Sequence, residues 1–252
     1  MSLPNVTLAE LSKLRTLRGV AATIAATVVC GVGLATLFAA ATLRQPGAPQ
    51  QLTASAAVDT SLAAIPYCQI GLIVLGIVTT ASEYGGPQIR TTLASVPNRM
   101  TLLTGKVVAY LAVAAGTALT TVGTSVVATE TALGAHRPPV SALRTAHHLG
   151  TMLGAAGYLV LIGLLAIAVA VLVRSFVATL VAMLTAIVVL SPVLAAITKL
   201  AAYLPDRAGA LLYQSNPDPG GVLTPVQGAV VLGTWIVVLL GAAAVTFTAR
   251  DA

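Results

Sequence analysis

The chain has 252 residues, of which 57% are hydrophobic and only 8% are charged, and its mean hydropathy is +0.96. This composition excludes a soluble globular domain, because too few polar residues are available to cover a water-exposed fold. The net charge of +6 does not indicate nucleic-acid binding, because the basic residues lie at the ends of apolar segments and not on one face.

The first predicted element is an amphipathic helix within residues 3 to 18. Its leucine and valine residues recur at helical spacings, and charged residues lie between them. We expect this helix to lie on the membrane surface and to turn into the first span. The alternative is a frayed basic leader, because Pro4 and Asn5 weaken the start of a helix.

Six apolar segments follow, and each has the roughly 20 residues that a transmembrane helix requires. The first is too long to be the core of a cleaved signal peptide, so we expect it to remain in the protein. We predict an all-α integral membrane fold with a single transmembrane domain over residues 1 to 252. Its spans are predicted at about residues 19 to 43, 60 to 81, 101 to 129, 150 to 173, 176 to 198 and 226 to 249.

A polar segment at residues 82 to 100 separates the second and third spans. Pro87 suits the first position of a helix, and Pro97 lacks the N–H that would continue one. We therefore predict a surface helix of about ten residues, which is too short to cross a membrane. Three of its apolar residues fall at i, i+4 and i+7 on one face, namely Ile89, Leu93 and Val96.

Polar segments also connect the other predicted spans. Residues 44 to 58 and 130 to 149 are predicted to be loops, whereas residues 199 to 225 carry enough apolar side chains to form short re-entrant or interfacial helices. The Arg174-Ser175 connection is so short that it makes the fourth and fifth spans neighbours. Lys106 lies one turn inside the third span, and its ammonium group can reach back to the membrane surface.

The distribution of basic residues predicts the orientation in the membrane. If both termini, the 82 to 106 region and the connection between the fourth and fifth spans share one side, that side holds eight of the 13 Lys and Arg residues: Lys13, Arg15, Arg18, Arg90, Arg99, Lys106, Arg174 and Arg250. Because cytoplasmic loops carry the excess of Lys and Arg, we predict that both termini and the 82 to 100 helix are cytoplasmic.

The sequence contains no motif for catalysis or metal binding. Its nearest approach to a Walker A loop, at Gly105-Lys106, lacks the first glycine and the hydroxyl residue. Cys30 and Cys68 lie inside spans and match no metal or redox motif, so we interpret them as small hydrophobic residues. We interpret the three histidines of the 130 to 149 loop as solvated, although they offer a weak alternative as metal ligands. We predict no catalytic residue and no metal site.

The segment after the second span has the features of a known family. Glu83 ends that span, and Gly86 follows it. The run Ile-Arg-Thr-Thr-Leu-Ala comes next at residues 89 to 94, and Pro97 lies close to Arg99. This pattern, together with the order and lengths of the six apolar segments, resembles the permease subunits of small type-2 ABC exporters. In that family the N-terminal helix forms an elbow, and the helix between spans two and three is a cytoplasmic coupling helix.

The resemblance implies a transmembrane permease subunit without its own ATPase activity, in a prokaryotic cytoplasmic membrane. ATP and Mg²⁺ would then be bound by two partner ATPase subunits, and a second permease copy or a similar permease would complete the pathway. The cargo would be amphipathic or hydrophobic, such as a drug, an antibiotic, a peptide or a lipid-like molecule. The residues implied in coupling to the ATPase are Glu83, Gly86, Ile89, Arg90, Thr91, Thr92, Leu93, Pro97 and Arg99.

Three alternatives stay open. Glu83 either pairs with Arg90 or Arg99 to hold the coupling helix rigid, or these charges are only interfacial anchors. A second alternative is that the whole chain is a non-transporting membrane subunit for immunity or sensing, which needs no ATPase. A third is that it is an ion-coupled secondary carrier. The lack of an acidic residue in the middle of any span disfavours this class.

Overall fold

A computed structural model describes residues 3 to 45, 51 to 81, 99 to 143, 145 to 214 and 221 to 249. Every regular element in these ranges is helical, which confirms the all-α fold class. The α-helices are α1 (Leu3–Thr16), α2 (Arg18–Leu43), α3 (Ala54–Leu62), α4 (Ile65–Ala81), α5 (Arg99–Leu133), α6 (Val140–Leu143), α7 (Ala146–Val173), α8 (Phe176–Leu184), α9 (Ser191–Ile197), α10 (Pro205–Ala210) and α11 (Pro225–Ala249). A π-helical segment, Thr185–Leu190, joins α8 to α9, and short 3-10 helices span Gly134–His136 and Lys199–Tyr203.

Five helical segments in the described ranges are long and apolar enough to cross a membrane, which indicates a membrane protein. They are Arg18–Leu43, Met100–His136, Ala146–Val173, Phe176–Ile197 and Pro225–Thr246. They coincide with the first, third, fourth, fifth and sixth predicted segments. Helices α3 and α4 pass the same test only when they are taken together, and they meet at a bend of 40°.

The second predicted segment therefore differs from the expectation of one helix over residues 60 to 81. Part of the expected 44 to 58 loop is the helix α3, whose first turn is capped by the Thr53 hydroxyl at 3.3 Å from the Ala56 N–H. A new helix, α4, begins at Ile65, directly before Pro66. Proline lacks an N–H and disfavours helical geometry in the residue before it, so the chain cannot continue straight from α3 into α4.

Helix α7 forms the centre of the bundle. In its most apolar stretch 67% of the residues are buried, against 22% for the first and last candidate spans and 11% for Phe176–Ile197. The outer helices consequently expose long rows of aliphatic side chains. In a membrane such surfaces contact lipid or another protein chain, because apolar patches of this extent are not left in water.

The link between α7 and α8 agrees with the predicted two-residue connection. Arg174 ends α7 in the left-handed region at φ 57°, and its N–H bonds to the Ala170 carbonyl. Ser175 begins α8 by accepting a hydrogen bond from the Ala178 N–H at 3.4 Å. The chain thus reverses within two residues, and α7 and α8 contact each other as expected.

Two glycines allow α4 and α7 to approach closely in the core. A Cβ atom added at Gly76 would overlap the carbonyl oxygen of Gly163, and one added at Gly163 would overlap the Tyr110 hydroxyl. That hydroxyl donates a hydrogen bond of 3.0 Å to the Val160 carbonyl. The side chain of Tyr110 on α5 therefore fills the notch at Gly163 and joins α5 to the contact between α4 and α7.

Replacing Gly76 by alanine is expected to destabilise the protein, because the obstructing atom is backbone and cannot rotate away. Overpacking of this kind costs about 1–3 kcal/mol, which lowers the unfolding temperature in detergent. The matched control is Gly116→Ala on α5, where an added Cβ meets nothing within 4 Å. The control is expected to unfold at or slightly above the temperature of the wild-type protein, and equal behaviour of both variants would contradict the close approach.

Candidate coupling site

Most of the residues predicted to couple to an ATPase lie outside the described residues. These are Glu83, Gly86, Ile89, Arg90, Thr91, Thr92, Leu93 and Pro97. Arg99 is within them and is the first residue of α5. The predicted coupling segment therefore leads into α5, and the surroundings of the first turns of this helix show which parts of the bundle it adjoins.

The N-terminal helix α1 packs on the beginning of α5. One face of α1 is buried, with Val6, Glu10 and Leu14 at i, i+4 and i+8. Val6 lies against Gly105, where an added Cβ would come within 2.8 Å of the Val6 side chain. The predicted N-terminal helix is thus present as a separate element, and Leu17 in an extended conformation divides it from α2.

A buried ion pair fastens α1 to α5. The Lys106 Nζ atom donates hydrogen bonds of 3.1 and 3.2 Å to the two carboxylate oxygens of Glu10. The two side chains are only 5% and 10% exposed, so the pair is shielded from water. Our prediction that Lys106 reaches back to the membrane surface was incomplete, because in the structure its ammonium group is held by the neighbouring helix.

One feature of the sequence indicated that Glu10 needs a buried partner. Glu10 interrupts an otherwise apolar face between Val6 and Leu14, and an acid in such a position needs a buried cation. Its partner lies 96 residues further along the chain. Helical periodicity describes one helix at a time, so it could not name Lys106.

The start of α5 is connected to the core through the next turn of the same helix. Tyr110 follows Lys106 by four residues, so both side chains lie on one face of α5. Lys106 contacts α1, and Tyr110 reaches the central helix α7 through its bond to Val160. A displacement of the first turns of α5 would therefore act on both α1 and the core of the bundle.

The opposite end of the bundle contains a second polar cluster. Residues 199 to 213 form the short helices predicted between the last two spans. The Ser191 hydroxyl donates to the Asp206 carboxylate at 2.5 Å, and Arg207 Nε donates to the same hydroxyl at 3.2 Å. Trp235 Nε1 donates to the Tyr203 carbonyl at 2.9 Å, which ties this segment to α11.

The two ends of the bundle are defined by contacts between distant parts of the chain. At one end α1 lies on the first turns of α5, as described above. At the other, the Leu52 N–H bonds to the His136 carbonyl at 2.9 Å, so the segments before α3 and after α5 lie together. This arrangement places the N-terminal helix and the first residue of α5, Arg99, at the same end of the bundle.

Burial raises the pKa of the Asp206 carboxyl, and the hydrogen bond from Ser191 opposes this shift. With a raised pKa in the folded state, this group favours folding at low pH, and its contribution is lost as the pH rises through the folded-state pKa. We expect Asp206→Asn to reduce the loss of stability that follows when the pH rises above the ordinary carboxyl pKa of about 4, measured as unfolding temperature in detergent. The exposed Asp59→Asn variant is the matched control, and an equal effect of both substitutions would contradict the burial of Asp206.

No metal-binding group is found in the described part of the chain, in which no three His, Cys, Asp or Glu side chains lie together. The imidazole of His148 has local partners, since its Nδ1 atom lies 2.8 Å from the Thr145 hydroxyl and 2.9 Å from the Ala142 carbonyl. His147 packs edge-on against this ring. These contacts support a structural role at the start of α7.

Comparisons with known proteins add no family assignment. A scan against protein-family models finds no match, and a search of the curated proteins finds no similar sequence.

Proposed function

We propose that the chain is the transmembrane permease subunit of an ATP-driven exporter of the type-2 ABC class. The single observation that carries the proposal is the position of the segment with the family pattern, which runs from Glu83 to Arg99 and leads directly into α5. The all-helical bundle, the separate helix α1 and the short helices at 199 to 213 are compatible with the predicted elements of that family. We place the bundle in a prokaryotic cytoplasmic membrane with both termini in the cytoplasm.

The proposed mechanism begins at the cytoplasmic end of α5. Two ATPase subunits bind Mg²⁺ and ATP and hold the 82 to 98 segment of each permease. When the ATPase subunits close, this segment moves and displaces the first turns of α5. The Glu10–Lys106 pair transmits the displacement to α1, and Tyr110 transmits it to α7. A buried ion pair suits this role because it resists separation more strongly than an exposed one.

The pathway for cargo is proposed to lie between two permease subunits. The candidate span Phe176–Ile197 is only 11% buried in its most apolar stretch, so most of its aliphatic surface is available to another chain or to lipid. An outward movement of paired bundles would carry an amphipathic or hydrophobic molecule across the membrane. Few charged side chains lie within the candidate spans, which favours such a cargo over an ion or a sugar.

An ion-coupled carrier is the second candidate, and Asp206 is the observation that favours it. The sequence places this acid in a connection between spans, but its carboxylate is partly buried against Ser191 on α9. A buried acid with a raised pKa is typical of proton-coupled sites. If the protein is such a carrier, Asp206→Asn abolishes transport. The purified wild-type protein then has no accompanying ATPase.

The experiment that tests the proposal is purification of the tagged chain from membranes of its native host in mild detergent. We expect a Walker A protein to co-purify in an amount equal to the permease, together with ATP hydrolysis. A parallel preparation uses the double variant Ile89→Asp/Leu93→Asp. We expect this variant to purify without the ATPase subunit. Recovery of a fully active protein without any ATP-binding chain would contradict the proposal.

A further inference from the structure

The two cysteines of the chain lie in different helices, and the packing of α2 against α4 brings them together. The helices touch at Thr27 and Gly71, where a Cβ added to the glycine would overlap the threonine side chain. A Cβ added at Gly31 would lie 3.3 Å from the Cys68 sulfur. Residue numbers therefore rise along α2 while those of the facing residues fall along α4, and the two helices are antiparallel.

This antiparallel register sets Cys30 opposite Cys68. Cys30 lies three residues after Thr27, and Cys68 lies three residues before Gly71. Because the helices are antiparallel, both cysteines lie about one turn from the contact between Thr27 and Gly71, in the same direction along the bundle. The Cys68 thiol lies 3.9 Å from the Thr27 carbonyl, and both cysteines line the same groove between the two helices. The Cys68 sulfur therefore lies beside the turn of α2 that contains Cys30.

The pair is accessible from the side of the bundle. Both cysteines line a groove of about 470 Å³ between α2 and α4, together with Thr23, Leu34, Tyr67 and Val74. The two thiols differ in exposure, since Cys30 is exposed and Cys68 is buried. A small molecule dissolved in the apolar part of the membrane would reach Cys30 first.

We propose that Cys30 and Cys68 form a reversible intramolecular disulfide, which makes this pair an oxidation site that joins the first candidate span to α4. The oxidant is hydrogen peroxide, a neutral molecule small enough to cross a membrane. The Cys30 sulfur attacks one peroxide oxygen, the O–O bond breaks, and water leaves with the thiol proton to give a sulfenic acid. The Cys68 sulfur then attacks the oxidised sulfur, and a second water leaves. Two thiols lose two hydrogen atoms in total, and one peroxide becomes two waters.

The disulfide would fix α2 against α4 in the middle of the bundle. It joins two side chains that line one groove between adjacent helices, so we expect it to form by rotation of the side chains with little movement of either helix. Any relative motion of these two helices would stop in the oxidised protein and resume after reduction. The inference depends only on the packing of α2 and α4, and it holds whether or not an ATPase drives the protein.

The test treats the purified full-length protein in detergent with hydrogen peroxide, then unfolds it and labels the remaining thiols with iodoacetamide. We expect that iodoacetamide labels neither cysteine and that the protein runs as a monomer on a non-reducing gel. We also expect one pair of peptides linked through residues 30 and 68. Dithiothreitol should restore both labels. In the Cys68→Ala variant the sulfenic acid has no resolving thiol, so dimedone is expected to trap it at Cys30.

The matched control moves one cysteine by a single turn along the same groove. Ala26 also lines the groove, but the register places it away from Cys68. In the variant Ala26→Cys/Cys30→Ala we expect at least a tenfold slower loss of label than in the wild-type protein. The proposal is overturned if the thiols of the wild-type protein stay free, if only a dimer linked through Cys30 forms, or if the control pair oxidises equally fast.

Discussion

Replacement of Ile89 and Leu93 by aspartate is expected to release the ATPase subunits from the permease. These residues form the apolar face of the predicted coupling helix. Burying one side chain of this size contributes about 1.5–3 kcal/mol, so losing two weakens the association by about 100-fold or more. The measurement is the amount of Walker A protein and of ATP hydrolysis recovered with the tagged permease.

The control for this prediction lies on the same short helix. Ser95 is predicted to point away from the apolar face, so Ser95→Asp adds a charge without removing that face. We expect this variant to retain its ATPase subunits. Normal recovery of the ATPase with the double aspartate variant would show that the apolar face has no part in the association.

The second large effect is expected at the ion pair between α1 and α5. Lys106→Leu leaves the Glu10 carboxylate buried without this cation, and breaking a buried pair on one side costs about 3–5 kcal/mol. The variant Glu10→Leu/Lys106→Leu removes both charges and is expected to be more stable than either single substitution. The measurement is the unfolding temperature in detergent for the wild-type protein, both single variants and the double variant.

The exposed Arg15 on α1 provides the matched control for loss of one cation. Arg15→Leu is expected to change stability by no more than about 0.5 kcal/mol, as surface substitutions usually do. If the two single effects at Glu10 and Lys106 simply add in the double variant, the ion pair does not couple α1 to α5. In that case the proposed transmission from the coupling segment to α1 would also be wrong.

The helical architecture was largely predictable from the sequence. Long apolar segments define helices by length alone, and five of the six predicted segments coincide with helices that can cross a membrane. The Arg174-Ser175 connection was also predicted correctly, since two residues leave no other arrangement. Helix α3 was not predicted and was assigned in part to a loop. Its small residues, Ala, Ser and Thr, gave no apolar periodicity that distinguishes a short helix from a loop.

Contacts between helices were not predictable in the same way. The Glu10–Lys106 pair and the shared groove of Cys30 and Cys68 both depend on the register between two helices. Register is decided by which side chains fit against each other, such as Thr27 against Gly71, and a single helix does not contain that information. The predicted coupling residues other than Arg99 lie outside the described residues, so their assignment stays a prediction.

The most direct test of the proposed function is a photo-crosslinking amino acid placed at position 93 in the intact cell. Our account predicts a covalent adduct with an ATP-binding protein, and the same crosslinker at exposed position 59, on α3 towards the opposite end of the bundle, should give no such adduct. An adduct at position 93 with a protein outside the cytoplasm, or no adduct with any ATP-binding chain, would contradict it.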